Sequence, residues 1–245
     1  MRRITDILGV PFDVINMDEA VKRVIGYLSG SGQHMVCTPN PEIVMEAQED
    51  KELMNILNAA DLIVPDGIGI VIASKFCKEK IKERVAGYDL VQNIFEKLKD
   101  TEYKVYFFGG APGVASTAAK KMSKKYPGLS IVGTRNGYFS SKDEKDIIDD
   151  IKRSGADLLL VGLGAPKQEK WIYENMRLTG AKVSIGVGGS FDVMSGKVKR
   201  APVFFQKCGL EWFYRLLCQP TRLKRMLKLP KFVLVVFLNK LGIKK

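Results

Sequence analysis

The amino-acid sequence predicts an α/β protein with a Rossmann-like, doubly wound and mostly parallel sheet. Short apolar and β-branched runs alternate along the 245 residues with segments of helical period, a pattern typical of βαβ units. Turns rich in Gly, Pro, Asn and Asp follow these runs. Because the predicted strands are largely apolar, we expect helices to cover both faces of the sheet.

The predicted elements occur in a regular order. Six apolar runs are predicted as strands, at 34–37, 62–64, 104–108, 129–132, 157–162 and 182–187. Seven segments of helical period accompany them, near 17–29, 41–58, 67–76, 87–99, 113–125, 143–154 and 167–178. Beyond the last strand the chain turns aromatic and basic, and Pro220 and Pro230 divide this tail into about three short helices. We therefore expect an α/β body at 1–195 and a small helical appendage at 196–245.

The charge is distributed unevenly between these two parts. The formal net charge is +12, and residues 196–245 contain 13 basic residues against one acid, Glu211. Residues 1–195 hold 26 bases and 26 acids and are neutral overall. A basic, aromatic tail on a neutral body predicts a negatively charged partner, and the surface of an anionic membrane is the partner that we favour.

Several classes of protein are disfavoured by the composition. Asp6 and Pro11 interrupt any secretory apolar region, and the longest apolar run, 232–238, is far shorter than the roughly 20 residues that span a bilayer. The four cysteines show no CxxC spacing, which favours reduced thiols in a cytoplasmic protein. His34 is the only histidine, so zinc and Ser-His-Asp chemistry are poor candidates.

Two polar turns follow predicted strands at the edge where an open parallel sheet binds ligands. Thr38 and Asn40 follow the strand at 34–37, and Asp66 follows the strand at 62–64. Asn40 before Pro41 also fits a helix N-cap, and Asp66 fits either an N-cap or a general base for a hydroxyl group. The residues alone leave both alternatives open.

Three glycine-rich turns also follow predicted strands, and the first two of them open helices. Backbone amides at Gly109 and Gly110 can hold phosphate, and Gln168 after the turn at 162–166 can bind a ligand or simply begin a helix. The turn at 186–192 brings Gly188, Gly189 and Asp192 to the same edge. Together these turns predict a nucleotide or sugar-phosphate site.

The sequence predicts no metal and no cofactor. The chain has no Asp-x-Asp pair at a strand end, so a divalent ion on a diphosphate would lack its usual carboxylates. Arginines or backbone amides would then stabilise the leaving group.

The ordered motifs resemble those of the WecG/TagA/CpsF glycosyltransferases, glycosyltransferase family 26. They run through nearly the whole chain, at 38–42, 65–67, 84–90, 108–113, 164–169, 188–192, 199–202 and 209–216. One departure is Ala86, where many relatives have threonine. The resemblance implies a membrane-associated enzyme that transfers a sugar from a UDP-sugar to a polyprenyl-diphosphate-linked acceptor. In the teichoic-acid branch, N-acetylmannosamine passes with inversion to N-acetylglucosaminyl-diphospho-undecaprenol.

The resemblance also implies roles for individual residues. It makes Asp66 the catalytic base and places Thr38, Asn40, Arg84 and Gln168 around the sugars. The diphosphates are assigned to three tail arginines, Arg215, Arg222 and Arg225. The enzyme is then expected in the cytoplasm, at the inner face of the cell membrane.

Alternatives stay open at this point. The donor can instead be UDP-N-acetylmannosaminuronic acid or a UDP-hexose, and the sequence does not decide whether the chain forms a homo-oligomer. Nucleic-acid binding would also use a basic tail, but no nucleic-acid-binding motif supports it and we expect none. A nicotinamide-dependent oxidoreductase lacks its GxGxxG fingerprint.

Overall fold

The main sheet is parallel throughout. The computed structural model describes residues 2–218 and 228–240. After two N-terminal strands, β1 (Ile4–Ile7) and β2 (Val10–Asp13), six strands form this sheet: β3 (His34–Cys37), β4 (Leu62–Ile63), β5 (Lys104–Gly109), β6 (Ser130–Arg135), β7 (Leu158–Gly162) and β8 (Val183–Gly186). Their spatial order is β4-β3-β8-β7-β5-β6, and every neighbouring pair is parallel. The predicted fold class is confirmed.

Helices fill the connections between these strands. They are α1 (Met17–Ser29), α2 (Pro41–Ala47), α3 (Lys51–Ala59), α4 (Ile68–Ser74), α5 (Gly87–Leu98), α6 (Val114–Lys125), α7 (Glu144–Ser154), α8 (Lys167–Thr179) and α9 (Ser190–Met194). A 3₁₀ turn at Ser141–Asp143 precedes α7. The described part of the tail contains three more helices: α10 (Val203–Lys207), α11 (Glu211–Cys218) and α12 (Lys228–Lys240).

Two hydrophobic cores lie on the two faces of the sheet. Met35 and Cys37 of β3 belong to one core, and Val36 between them belongs to the other. The same alternation runs through β7, where Leu159 joins the first core and Leu158 the second. Side chains of successive strand residues point to opposite faces, so the sheet is buried on both sides, as its apolar strands predict.

Three elements differ from the sequence-based prediction. Helix α9 follows the glycine turn after β8, where no helix was predicted. The chain begins with an antiparallel hairpin of β1 and β2 that the prediction missed; Leu8 and Gly9 form its two-residue loop with φ of 55° and 81°, the backbone that tight hairpins require. The single helix predicted at 41–58 is two helices, because Asp50 accepts a hydrogen bond from the Leu53 amide and starts α3 as its N-cap.

The last helix packs against the body. Phe232 is fully buried and Val236 nearly so, and both belong to the core that α2 and α4 cover. Pro230 lies in the first turn of α12 instead of ending a helix, a position that proline tolerates. Within the described residues, no helix is long and apolar enough to cross a membrane. The boundary between a body at 1–195 and an appendage stays a prediction.

We predict that Phe232 contributes to global stability whereas its exposed neighbour does not. Replacing a buried phenylalanine by alanine removes apolar contacts and leaves a cavity, so Phe232→Ala should lower the free energy of unfolding by about 3 kcal/mol. Phe237, 46% exposed on the same helix, provides the matched control in Phe237→Ala. Equal urea midpoints for the two variants would show that α12 is not part of the cooperative fold.

Candidate active site

A cavity of about 830 Å³ opens at the carboxyl ends of β4, β3, β8 and β7. Parallel strands bring their following turns to one edge of the sheet, and here these turns supply one wall of the cavity. Helices α11 and α12 supply part of the rest, including Trp212, Leu229 and Val233. The sequence-predicted residues that line it are Thr38, Asn40, Asp66, Arg84, Gln168, Gly188, Gly189 and Asp192.

Asp66 lies half-buried in this wall, in the turn after β4. It is not the N-cap of the helix that follows it: that position is Gly67, and α4 has no side-chain cap. Instead, Asp66 Oδ2 accepts a hydrogen bond of 3.3 Å from the N–H of Gly87, the first residue of α5. The positive end of a helix favours a nearby negative charge, so this position suits an ionised carboxylate that accepts a proton.

Thr38 and Asn40 follow β3 and are held by the fold. The Thr38 hydroxyl donates to the Gly186 carbonyl at the end of β8 (3.1 Å). Asn40 is the N-cap of α2, because its Oδ1 accepts from the Ile43 amide (3.0 Å). The capping interpretation of Asn40 is thus confirmed. The Asn40 amide nitrogen can donate to a ligand while Oδ1 caps the helix.

Gln168 joins the turns that follow β7 and β8. It is 2% exposed at the start of α8, and its Oε1 accepts a hydrogen bond from the Gly188 N–H (2.9 Å). Gly189 precedes α9, and Asp192 lies in the first turn of that helix, 3.9 Å from the Lys197 ammonium. A hydrogen bond to the buried amide side chain of Gln168 therefore holds the glycine turn after β8 in place.

Arginine–carboxylate pairs line the cavity on the side of the tail. Arg84 Nη2 donates to Glu211 Oε2 of α11 at 3.0 Å, and both side chains are largely buried. Arg200 donates to Asp89 (2.6 Å) and lies over the Tyr88 ring, 4.6 Å from its centroid. Sequence reasoning gave no role to Arg200 or Glu211, although both lie in motifs of the resemblance. Their partners are 111 and 127 residues away in the chain. Residue spacing does not predict pairs at such a separation.

Gly109 and Gly110, predicted to hold phosphate, have another role here. The Gly110 N–H donates to the Gly162 carbonyl, and the Gly110 carbonyl accepts from Gly137. A Cβ on Gly109 would lie 2.3 Å from the Gly162 oxygen, so this position needs glycine for the close approach of two backbones. Both residues lie outside the set that lines the cavity in the described structure, and phosphate binding by their amides stays a prediction.

The structure describes the backbone position of one of the three tail arginines. Arg215 belongs to α11, which contributes Glu211 and Trp212 to the cavity. Arg222 and Arg225 lie outside the described residues. Among the residues that the structure describes, no group of three or more His, Cys, Asp or Glu is arranged to hold a metal ion.

Comparison with known proteins assigns the chain to a family. Residues 5–245 match the Glycosyl transferase WecG/TagA/CpsF family. The chain is 41% identical over 210 residues to the N-acetylglucosaminyldiphosphoundecaprenol N-acetyl-beta-D-mannosaminyltransferase of Bacillus spizizenii, covering 86% of this chain and 81% of the relative. Proteins of the same name from Bacillus subtilis, 39% identical over 82% of this chain and 78% of the relative, and from Staphylococcus aureus, 34% identical over 98% and 94%, are also similar. The family match spans nearly the whole chain, and the chain belongs to the WecG/TagA/CpsF family of glycosyltransferases.

Proposed function

We propose that the enzyme transfers N-acetylmannosamine from UDP-N-acetylmannosamine to N-acetylglucosaminyl-diphospho-undecaprenol, with inversion, in the synthesis of the wall teichoic acid linkage unit. The observation that carries this proposal is the cavity in which Asp66 and Arg84 lie between the sheet edge and the tail helices. The relatives' shared name supplies the sugar and the acceptor. The volume of about 830 Å³ lies in the range of small-molecule binding sites.

Asp66 is the proposed general base. An acceptor hydroxyl oxygen attacks the anomeric carbon, the bond from that carbon to the UDP oxygen breaks, and the hydroxyl proton passes to the Asp66 carboxylate. The interaction of Asp66 with the amino end of α5 keeps the carboxylate ionised before the attack. Thr38 and Asn40, in the adjacent turn, orient the sugars beside it.

Departing UDP needs its developing negative charge to be stabilised without a metal. Two groups of the cavity wall support this role: the guanidinium of Arg84 and the backbone amide of Gly189. The neighbouring Gly188 N–H already donates to Gln168. Arg200 lies in the same wall, paired with Asp89. Arg215, Arg222 and Arg225 are proposed to bind the diphosphates of donor and acceptor, on the strength of the family resemblance.

The tail is proposed to hold the enzyme on the cytoplasmic face of the membrane. Its helices expose large apolar side chains, including Phe204 at 68% and Leu217 at 60%. The same segment has 13 basic residues, and each basic residue near anionic headgroups contributes about 1 kcal/mol. Because α11 and α12 also line the cavity, a lipid-linked acceptor would meet the site at this surface.

Replacing the base should abolish most of the turnover. Asp66→Asn keeps an oxygen that can accept from Gly87 but removes the proton acceptor, so kcat should fall by roughly 10²–10⁴-fold with the fold and UDP binding retained. Transfer to a short-chain lipid acceptor, UDP binding by calorimetry and thermal unfolding measure these effects. Asp50→Asn is the matched control, because it replaces a carboxylate that caps α3 and pairs with Lys170 outside the cavity lining. Unchanged kcat in Asp66→Asn would remove Asp66 from the mechanism.

Chelation should leave the reaction intact. If arginines and amides stabilise the departing UDP, the enzyme should transfer sugar at its normal rate in excess EDTA. Complete loss of transfer, restored by magnesium or manganese, would contradict this picture of the phosphate site.

Membrane binding should depend on the apolar side chains of the tail. The pair Phe204→Ser and Leu217→Ser removes two exposed apolar groups, each worth about 1.5 kcal/mol when buried, and should weaken binding to anionic liposomes by at least roughly tenfold. The control pair, Tyr138→Ser and Leu178→Ser, changes residues of similar exposure on the body, 74% and 55%. Equal liposome sedimentation of the two pairs would argue against the tail as the membrane-binding surface.

A further inference from the structure

Glu169 is a buried carboxyl group beside the cavity but outside its lining. It is the third residue of α8 and is 2% exposed, as is its neighbour Gln168. Glu169 Oε1 accepts a hydrogen bond of 2.8 Å from Gln168 Nε2. Its other oxygen, Oε2, is buried and has no hydrogen-bond partner within the described part of the chain. Burial raises the pKa of Glu169.

A carboxyl in this setting is costly for the fold. Burying a carboxylate without a compensating partner is unfavourable, and one oxygen of Glu169 is left without a hydrogen bond. An apolar side chain of similar volume would fill the same space without this cost. The hydrogen bond from Gln168 Nε2 connects Glu169 to a residue of the site and gives the buried carboxyl a functional reason.

That hydrogen bond fixes the orientation of the Gln168 side-chain amide. The Gly188 N–H can only donate, so Gln168 must present its Oε1 to it, at 2.9 Å. The Gln168 Nε2 then needs a buried acceptor, which Glu169 Oε1 supplies. The three groups form a relay from a buried carboxyl to the backbone of the glycine turn.

The relay also packs against the end of β8, where the glycine turn begins. A Cβ on Gly186 would lie 2.8 Å from Gln168 Nε2, so the amide packs directly against the end of β8. The carbonyl of Gly186 accepts from the Thr38 hydroxyl. Gln168 therefore fixes the backbone of the turn that contributes Gly188 and Gly189 to the cavity wall. Thr38, also in that wall, is hydrogen-bonded to the start of the same turn.

We propose that Glu169 is a positioning residue that acts through Gln168: it holds the amide in the orientation that keeps the Gly186–Gly189 turn shaped for the sugar-nucleotide donor. This inference rests on the proposed function and deepens it, because the supported turn is the one proposed to contact the donor. It assigns Glu169 no contact with substrate and no proton transfer.

Two substitutions separate positioning from other roles. Glu169→Gln keeps an oxygen that can accept from Gln168 Nε2, and should leave donor KM and kcat within about twofold of the wild-type values. Glu169→Met fills the space but removes the acceptor, and should raise the donor KM by roughly tenfold or more, with a cooperative thermal transition retained. The effect should appear more in KM than in kcat, because the acceptor hydroxyl and Asp66 are untouched.

A double-mutant cycle tests whether Glu169 acts through Gln168. Gln168→Met alone removes both hydrogen bonds of the relay, so adding Glu169→Met should cause little further rise in donor KM. Additive effects of the two substitutions would overturn the proposal. Equal impairment in Glu169→Gln and Glu169→Met would also overturn it, since the carboxyl itself would then be required.

Amide hydrogen exchange at Gly188 provides a readout that needs no substrate. The Gly188 N–H should exchange slowly in the wild type and in Glu169→Gln, and roughly tenfold faster in Glu169→Met. If the wild-type enzyme transferred no sugar from any UDP-sugar, the proposed function would fail, yet this measurement would still decide whether Glu169 orders the turn. Unchanged exchange in Glu169→Met would overturn the inference by itself.

Discussion

The parallel pairing of β3 with β8 is the constraint on which the site depends. It places the end of β3 beside the end of β8, so that the turn carrying Thr38 lies against the glycine turn that begins at Gly186. The adjacent pairing of β3 with β4 adds the turn of Asp66. A shift of one residue in this register would move each of these side chains to the opposite face of the sheet. The two hydrophobic cores, which need the observed alternation, resist such a shift.

The second half of the site comes from the tail. Arg84 in the body and Glu211 in α11 form a largely buried ion pair, and removing one partner of such a pair leaves a costly charge. Helix α12 adds Phe232, which belongs both to the core and to the cavity wall. The tail is thus part of the cavity as well as a candidate membrane surface. In the proposed function, the same helices therefore contact the membrane and shape the cavity in which the sugars react.

Much of this arrangement could be predicted from local patterns. The strand at 34–37, the cap at Asn40 and the polar turns at the sheet edge follow from apolar runs, capping preferences and parallel topology. The N-terminal hairpin was missed, since its strands are short and contain Pro11. The role of Gly109 and the partners of Arg84 and Arg200 depend on contacts between distant parts of the chain. Such contacts leave no signal in the spacing of a single sequence.

Donor choice is the most direct test of the account. The enzyme would be offered an equimolar mixture of UDP-N-acetylmannosamine, UDP-N-acetylmannosaminuronic acid and a UDP-hexose with a short-chain N-acetylglucosaminyl-diphospholipid, and the lipid product would be identified by mass spectrometry. The account predicts one added N-acetylhexosamine, shown by NMR to be β-linked N-acetylmannosamine. A product carrying uronic acid or hexose, or an α-linked product, would contradict it.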